Sequence, residues 1–266
     1  MIVVIGILAF NYKNDGYSPS YADNIDNNTN KIEEAGKSSS DNSQYAEENA
    51  LVFDSKFIVA HPFDLSQISA ISKFRSCVGH DYSGYNAEKE IEIQRSMKHY
   101  LNGVGSVMGT NDKVKVYAPF DGKIEEILED FASFEGKQRG KQIWLSGKSA
   151  NGWVFVFFHV DLLDSIEKGT KVTAGQYIGH ANLDNSPNFD ITLKKLGRIG
   201  PNTLESPFLH MSSEVADQYK NKGIELEDFI IPKSARDIEP CPCSGEYCSF
   251  PSNSPENNPE DWVKTS

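Results

Sequence analysis

Between Lys113 and Leu196 the chain keeps one rhythm. A short β-branched or aromatic run is followed by a turn built on Gly, Asn, Asp or Pro. Runs at 113–118, 122–128, 141–146, 153–159, 176–180 and 188–194 fit this template, which predicts a compact antiparallel β-domain. Turns such as Lys168-Gly169 and Ala174-Gly175 offer the positive φ that tight hairpins need. His159 closes the most apolar run, WVFVFFH. On the last run Asn188, Asp190 and Thr192 share one strand face, and Phe189, Ile191 and Leu193 share the other. That is the pattern of a groove wall laid over a core.

Residues 51–112 read as an N-terminal extension packing on this core. LVFDSKFIVA suits a strand entering the domain. Leu65, Ile68, Ile71 and Phe74 recur at helical spacing, which predicts a short helix. A turn-rich loop, SCVGHDYSGYN, carries Cys77, His80 and Asp81. AEKEIEIQRSMKHYL, with His99, suits an exposed helix or a strand. Past the core, residues 197–250 hold a helix in SSEVADQYKNKG, with Ser212 or Ser213 as N-cap and Gly223 at its stop, and then a Cys-rich segment. Residues 251–266 are rich in Pro, Asn and Ser and read as a disordered tail. Residues 11–50, rich in Asn, Asp, Ser and Glu, read as a disordered linker, because too few apolar groups are present to offset the ordering entropy. Ahead of them MIVVIGILAF is apolar but shorter than the roughly 20 residues of a bilayer span. Residues 1–10 are read as the remainder of a membrane anchor or signal segment, with a short buried strand as the plainer alternative.

Apolar residues make up 38% of the 266-residue chain, and the deficit sits in the two ends, which favours one domain with tails. The formal net charge of −12 repels nucleic acid and anionic lipid, so neither is an expected partner. The four cysteines are Cys77, Cys241, Cys243 and Cys248. CPCSGEYC lacks the usual two-residue zinc knuckle, and an even count in a chain that leaves the cytoplasm favours disulfides. Cys241 and Cys243 are too close in sequence to bridge each other without strain. Two pairings remain: Cys77 takes one of them and Cys248 the other.

VYAPFDGKIEEI, a strand ending FFHV, IEKGTKVTAGQYIG and PNFDITL, in that order, resemble the lysostaphin-type (LytM-like) zinc metallopeptidase domain. The resemblance covers about a third of the chain, from Lys98 to Lys194. It implies a mainly β fold, the duplicated hybrid motif β-sandwich with a groove, short flanking helices and disordered tails. It also implies a zinc site. In that family a His and an Asp four residues later supply two zinc ligands, and the second His of an H-x-H strand supplies the third. The first His of that strand is catalytic, and a further His ends the preceding strand. Residues two apart on a strand face one side, so both imidazoles reach one groove.

This chain departs from the pattern. His99 matches the first ligand, but Gly103 stands where the Asp belongs. The H-x-H strand reads Asn188-Phe189-Asp190, and His159 matches the remaining His. Asn188 cannot act as a general base at neutral pH, because an amide does not titrate there. His80 and Asp81 lie in a loop that could supply substitute ligands. His61, His180 and His210 show no partner spacing and are read as structural.

The expected function is therefore an extracytoplasmic peptidase-like module, secreted or membrane-anchored, without catalysis. It would bind a peptide, glycan or envelope protein in the old groove. The alternative is an active zinc metalloendopeptidase whose ligands are His99, Asp190 and His80 or Asp81. A third reading, a lipoyl- or biotinyl-carrier hairpin, lacks a modifiable Lys at a flanked tip; Lys148 in SGKSANG is the nearest.

Overall fold

The computed structural model describes residues 56–129, 139–184, 186–197, 200–245, 248–251 and 254–266. The expectations for residues 1–10 and 11–50 lie outside them. The fold is mainly β. Eleven strands are present among the described residues, and every pairing between them is antiparallel. The sheet runs β11 (Trp262–Lys264), β1 (Ile68–Ser72), β2 (His99–Gly103), β9 (Phe189–Lys195), β6 (Val154–Leu162), β5 (Lys141–Ser146), β4 (Gly122–Glu129) and β7 (Lys171–Val172). β10 (Thr203–Glu205) pairs with β9, and β3 (Lys115–Tyr117) pairs with β8 (Tyr177–Ala181).

β6 is the strand that shapes the groove. Its first half, Val154 to Phe158, lies against β9, and its second half, Val160 to Leu162, lies against β8. The exchange of neighbours falls at His159, which has a φ of 61°. On the other edge, the register with β5 slips over the same stretch: Ile143 opposes Phe157, but Lys141 opposes Val160. His159 thus occupies a bulge, the device by which a strand bends and re-aims a side chain. A positive φ on a residue with a Cβ is a strained conformation that the surrounding sheet must hold in place.

One face of the sheet is core. Ile143, Leu145, Phe155, Phe157, Phe189 and Ile191 are all fully buried there. The C-terminal region covers it. Helix α1 (Ser213–Lys220) follows Ser212 as N-cap, carries Glu214 in its first turn, and buries Val215 and Tyr219 four residues apart. Gly223, with φ of 76°, follows its end. Tyr219 packs on Phe208 and Phe229, whose rings stack 3.9 Å apart. A second short helix, α2 (Lys233–Ile238), follows.

Four expectations are corrected. The helix from Leu65 to Phe74 is instead a 3-10 turn, Leu65–Gln67, followed by β1. β1 lies between β2 and β11 and is buried on both faces, so its apolar residues do not alternate. Residues 51–112 do not merely pack on the core, since β1 and β2 are strands of the sheet itself. The strand expected in LVFDSKFIVA is reduced, over its described residues, to an isolated bridge from Ile58 to Met211. The tail 251–266 is not disordered over its described length. It ends in β11, with Trp262 packed among Ala70, Val78 and Tyr100. Pro, Asn and Ser dominate its composition, but the closing DWVKT supplies one large anchor and a β-branched run.

The disulfides are Cys77–Cys241 and Cys243–Cys248. This is one of the two pairings that the sequence left open. The first ties the Cys-rich segment to the loop ahead of β2.

Candidate functional site

The register between β2 and β9 decides which side chains meet. Tyr100 opposes Asp190, while His99 opposes Ile191 and Leu101 opposes Phe189. Directly opposed residues lie on the same face. Lys98 and Tyr100 therefore stand with Asn188 and Asp190 on the groove side. His99 points with Ile191 and Phe189 into the core.

On the groove side is a cavity of about 340 Å³. Its floor is a buried ion pair. The Lys98 ammonium donates to Asp190 Oδ2 at 2.8 Å, and both side chains are almost fully buried. The rings of Phe158, Tyr82 and Tyr100 surround the same ammonium at 4.4, 4.8 and 4.9 Å. Burial alone would lower the lysine's pKa. The negative charge of Asp190 and its hydrogen bond outweigh that, and the pKa is raised above the ordinary lysine value. Burial pushes the Tyr82 and Tyr100 phenols up as well.

His159 reaches the same carboxylate. Its Nε2 lies 3.9 Å from Asp190 Oδ2, and its Nδ1 lies 3.2 Å from the Arg139 carbonyl. Asn188 is buried at the rim, its carbonyl accepting from Ser186 Oγ at 2.6 Å. His80 lines the opposite wall with Gly79 and Ser249. The Lys98 charge, and then burial, lower its pKa to about 4, even though much of the residue is open to solvent. Gly79 passes so close to Tyr100 that a Cβ there would overlap the phenol ring. Asp190 lines this cavity, and its Oδ1 is buried with no hydrogen-bond partner among the described residues.

The expected site residues are thus only partly assembled. His159, Asn188, Asp190 and His80 share the cavity. Asp81 does not line it; its carboxylate accepts from the backbone of Gln94 and Arg95 at 3.3 and 3.4 Å. His99 is corrected outright. It is fully buried on the far face, with Nδ1 2.7 Å from the Ser72 carbonyl and Nε2 2.8 Å from Ser206 Oγ. Burial lowers its pKa to about 4, so the ring is neutral. The carbonyl can only accept, so Nδ1 carries the proton and Ser206 donates to Nε2. Gly103 lies on that same core face, where a Cβ would press on Val107, Leu183 and Met108. The groove-side residues at this spacing are Lys98 and Asn102. A register error of one residue moves every side chain to the other face.

The residues present do not fit zinc. Among the described residues the one groove carboxylate already holds an ammonium, the His matched to the first ligand, His99, faces the core, and the H-x-H strand offers an amide and that same carboxylate. Among the described residues no three His, Cys, Asp or Glu side chains gather as a metal set. His61 and His210, read as structural, pack on rings: His61 on Phe63 and Tyr219, His210 on Phe57 and Trp153. His180 lies against the Tyr177 hydroxyl at the surface. Lys98, Tyr82, Tyr100, Phe158 and Arg139 were not singled out from the sequence. The alternation Lys98, Tyr100, Asn102 against His99, Leu101, Gly103 was the available signal.

No family model matches the chain, and no curated protein matches it. Solved structures are similar to it. A protein described as a glycyl-glycine endopeptidase LytM from Ruminococcus gnavus is 16% identical over 42% of this chain, at a TM-score of 0.33. The match spans 44% of that protein's length. A chain of the SpoIIQ–SpoIIIAH pore-forming complex is 20% identical over 59% of this chain and 93% of its own, at 0.38. Lysostaphin is 18% identical over 52% of this chain and 54% of its own, at 0.30. These are likenesses of chain path. What the groove does chemically rests on its own residues.

Proposed function

We propose that the chain is a non-catalytic, peptidase-like binding module that works outside the cytoplasm and takes a peptide, glycan or envelope protein in its groove. The observation that carries this reading is the Lys98–Asp190 pair. Hydrolysis of an amide by zinc needs a metal at an open position that generates hydroxide and polarises the carbonyl. Here a tethered ammonium sits on the groove carboxylate instead. Asn188 offers no proton transfer at neutral pH, so a general-base contribution of typically about 10²–10⁴-fold is lost as well. The alternative ligand set of His99, Asp190 and His80 or Asp81 is not available, because His99 and Asp81 are engaged elsewhere. Two disulfides support an oxidising setting. Among the described residues no helix is long and apolar enough to cross a membrane.

The test is to incubate the purified chain and added zinc with cross-linked peptidoglycan and with oligoglycine peptides. No cleavage is expected. Zinc-dependent cleavage that disappears in Asp190→Ala overturns the reading.

A further inference from the structure

We infer that Asn151 is a self-modification site, at which the backbone nitrogen of Gly152 attacks the Asn151 side-chain amide and converts the residue to isoaspartate and aspartate. This lies beyond the binding-module reading and does not rest on it.

The step needs only water. The Gly152 N–H gives up its proton, its nitrogen bonds to Asn151 Cγ, and the side-chain nitrogen leaves as ammonia. The product is a five-membered succinimide ring. One water then opens the ring at either carbonyl. Opening at the backbone carbonyl routes the chain through Cγ and leaves isoaspartate; opening at Cγ leaves aspartate. No oxidant, reductant or cofactor is consumed.

Asparagine followed by glycine suits this chemistry, because glycine has no side chain to crowd the attacking nitrogen. The sequence holds two such pairs, Asn102-Gly103 and Asn151-Gly152. The structure separates them. Asn151 and Gly152 are both exposed, in the hairpin that joins β5 to β6. Their φ values are 45° and 82°, and the Trp153 N–H donates to the Ala150 carbonyl at 2.9 Å. Two positive φ values inside such a bond are the mark of a tight hairpin turn. Among the described residues neither the Gly152 N–H nor the Asn151 side chain makes a hydrogen bond. A Cβ at Gly152 would meet only the Lys195 Cε, at 4.0 Å. The nucleophile and the amide are thus both unbonded and uncrowded.

Asn102 is placed otherwise. It lies within β2, opposite Ala70 of β1, and Gly103 after it is buried. Ser69 Oγ donates to the carbonyls of both residues, at 3.1 and 2.9 Å. Closing a ring there would turn the backbone out of the strand and break that pairing. Folding therefore guards Asn102 and leaves Asn151 open.

The product matters to the fold around it. Isoaspartate inserts a methylene into the backbone one residue ahead of Gly152 and Trp153, and the Trp153 ring is fully buried. The new carboxylate arises beside Lys195, whose ammonium lies 4.7 Å from the centre of that ring.

The experiment is incubation of the oxidised full-length chain at mildly alkaline pH in heavy-oxygen water, with and without urea. Peptide mapping by mass then reads the label, and chromatography separates isoaspartate from aspartate. In the folded chain Asn151 is expected to convert at least about tenfold faster than Asn102, since leaving the β1 pairing adds to the second barrier and each 1.4 kcal/mol or so is tenfold in rate. In urea the two rates should approach each other. Asn151→Gln is expected to abolish conversion at residue 151 and leave Asn102 unchanged. Equal rates at the two sites in the folded chain overturn the inference. So does aspartate at residue 151 without isoaspartate, which means direct hydrolysis. So does conversion of Asn151 in urea but not in the folded chain, a reading that needs no variant.

Discussion

The Lys98 ammonium, just ahead of β2, lies 2.8 Å from Asp190 Oδ2 on β9, and the pair is almost wholly out of water. Breaking one side of such a pair strands the other charge, which typically costs about 3–5 kcal/mol, while replacing both with apolar groups is often near neutral. Lys98→Met alone is expected to destabilise by that amount in urea unfolding. The double variant Lys98→Met, Asp190→Leu should recover most of the loss. Additive losses would show that the pair is not coupled. Because the lysine pKa is raised on folding, its contribution is full below the ordinary lysine value and is lost only as pH climbs past it.

Acid sensitivity comes from a different pair of groups with opposite signs. His99 is buried neutral with its pKa lowered to about 4, so the unfolded chain binds more protons between about 4 and 6.5. Its contribution is complete above 6.5 and falls as pH drops towards 4, by about 3 kcal/mol. Glu205 does the reverse. Burial raises its pKa to about 7, so its contribution is full below 4.5 and is lost as pH rises through 7. Glu205→Gln is therefore expected to be more stable than the parent at mildly alkaline pH, with the advantage gone near pH 5. Denaturant midpoints across that range check it. A constant difference at all pH values would contradict it.

The strand rhythm was legible where one face is solvent-facing or groove-facing. The run at 141–146 is β5 to the residue, and the helix after Ser212 stops before Gly223 as its composition predicts. β1 was misread because a strand buried on both faces carries no alternation, and Leu65, Ile68, Ile71 and Phe74 fit helical spacing by coincidence. β11 was missed because its pairing partner lies nearly two hundred residues away, a relation that composition cannot show. Asn188, Asp190 and His159 line one cavity, and strand parity over a long regular run makes the shared face of Asn188 and Asp190 legible. The face that His99 takes is not legible, because parity across the irregular segment before β2 is set by tertiary pairing with β9.

Placing at residue 103 the carboxylate that the lysostaphin-type pattern carries there should therefore fail. Gly103 is buried against Val107, Met108 and Leu183. Gly103→Asp would place a carboxylate among apolar side chains, at an expected cost of more than about 2 kcal/mol. It should bring no gain in zinc affinity. A stable variant that acquires zinc would show that residue 103 faces the groove after all.

The two disulfides should differ in weight. Cys77–Cys241 spans 164 residues and Cys243–Cys248 spans 5. Loop-closure entropy assigns them about 5 and about 2 kcal/mol. Cys77→Ser with Cys241→Ser should lower the unfolding midpoint far more than Cys243→Ser with Cys248→Ser. Equal shifts would mean that strain or residual structure, rather than loop length, sets the effect.

Lys98 fills the cation position on the groove carboxylate, which on the proposed reading leaves no place there for a catalytic zinc. Calorimetric titration of zinc into the oxidised full-length chain near neutral pH tests it most directly. The account predicts no stoichiometric binding, and the same flat response from Asp190→Ala. One tightly bound equivalent of zinc in the parent, lost in Asp190→Ala, would contradict it.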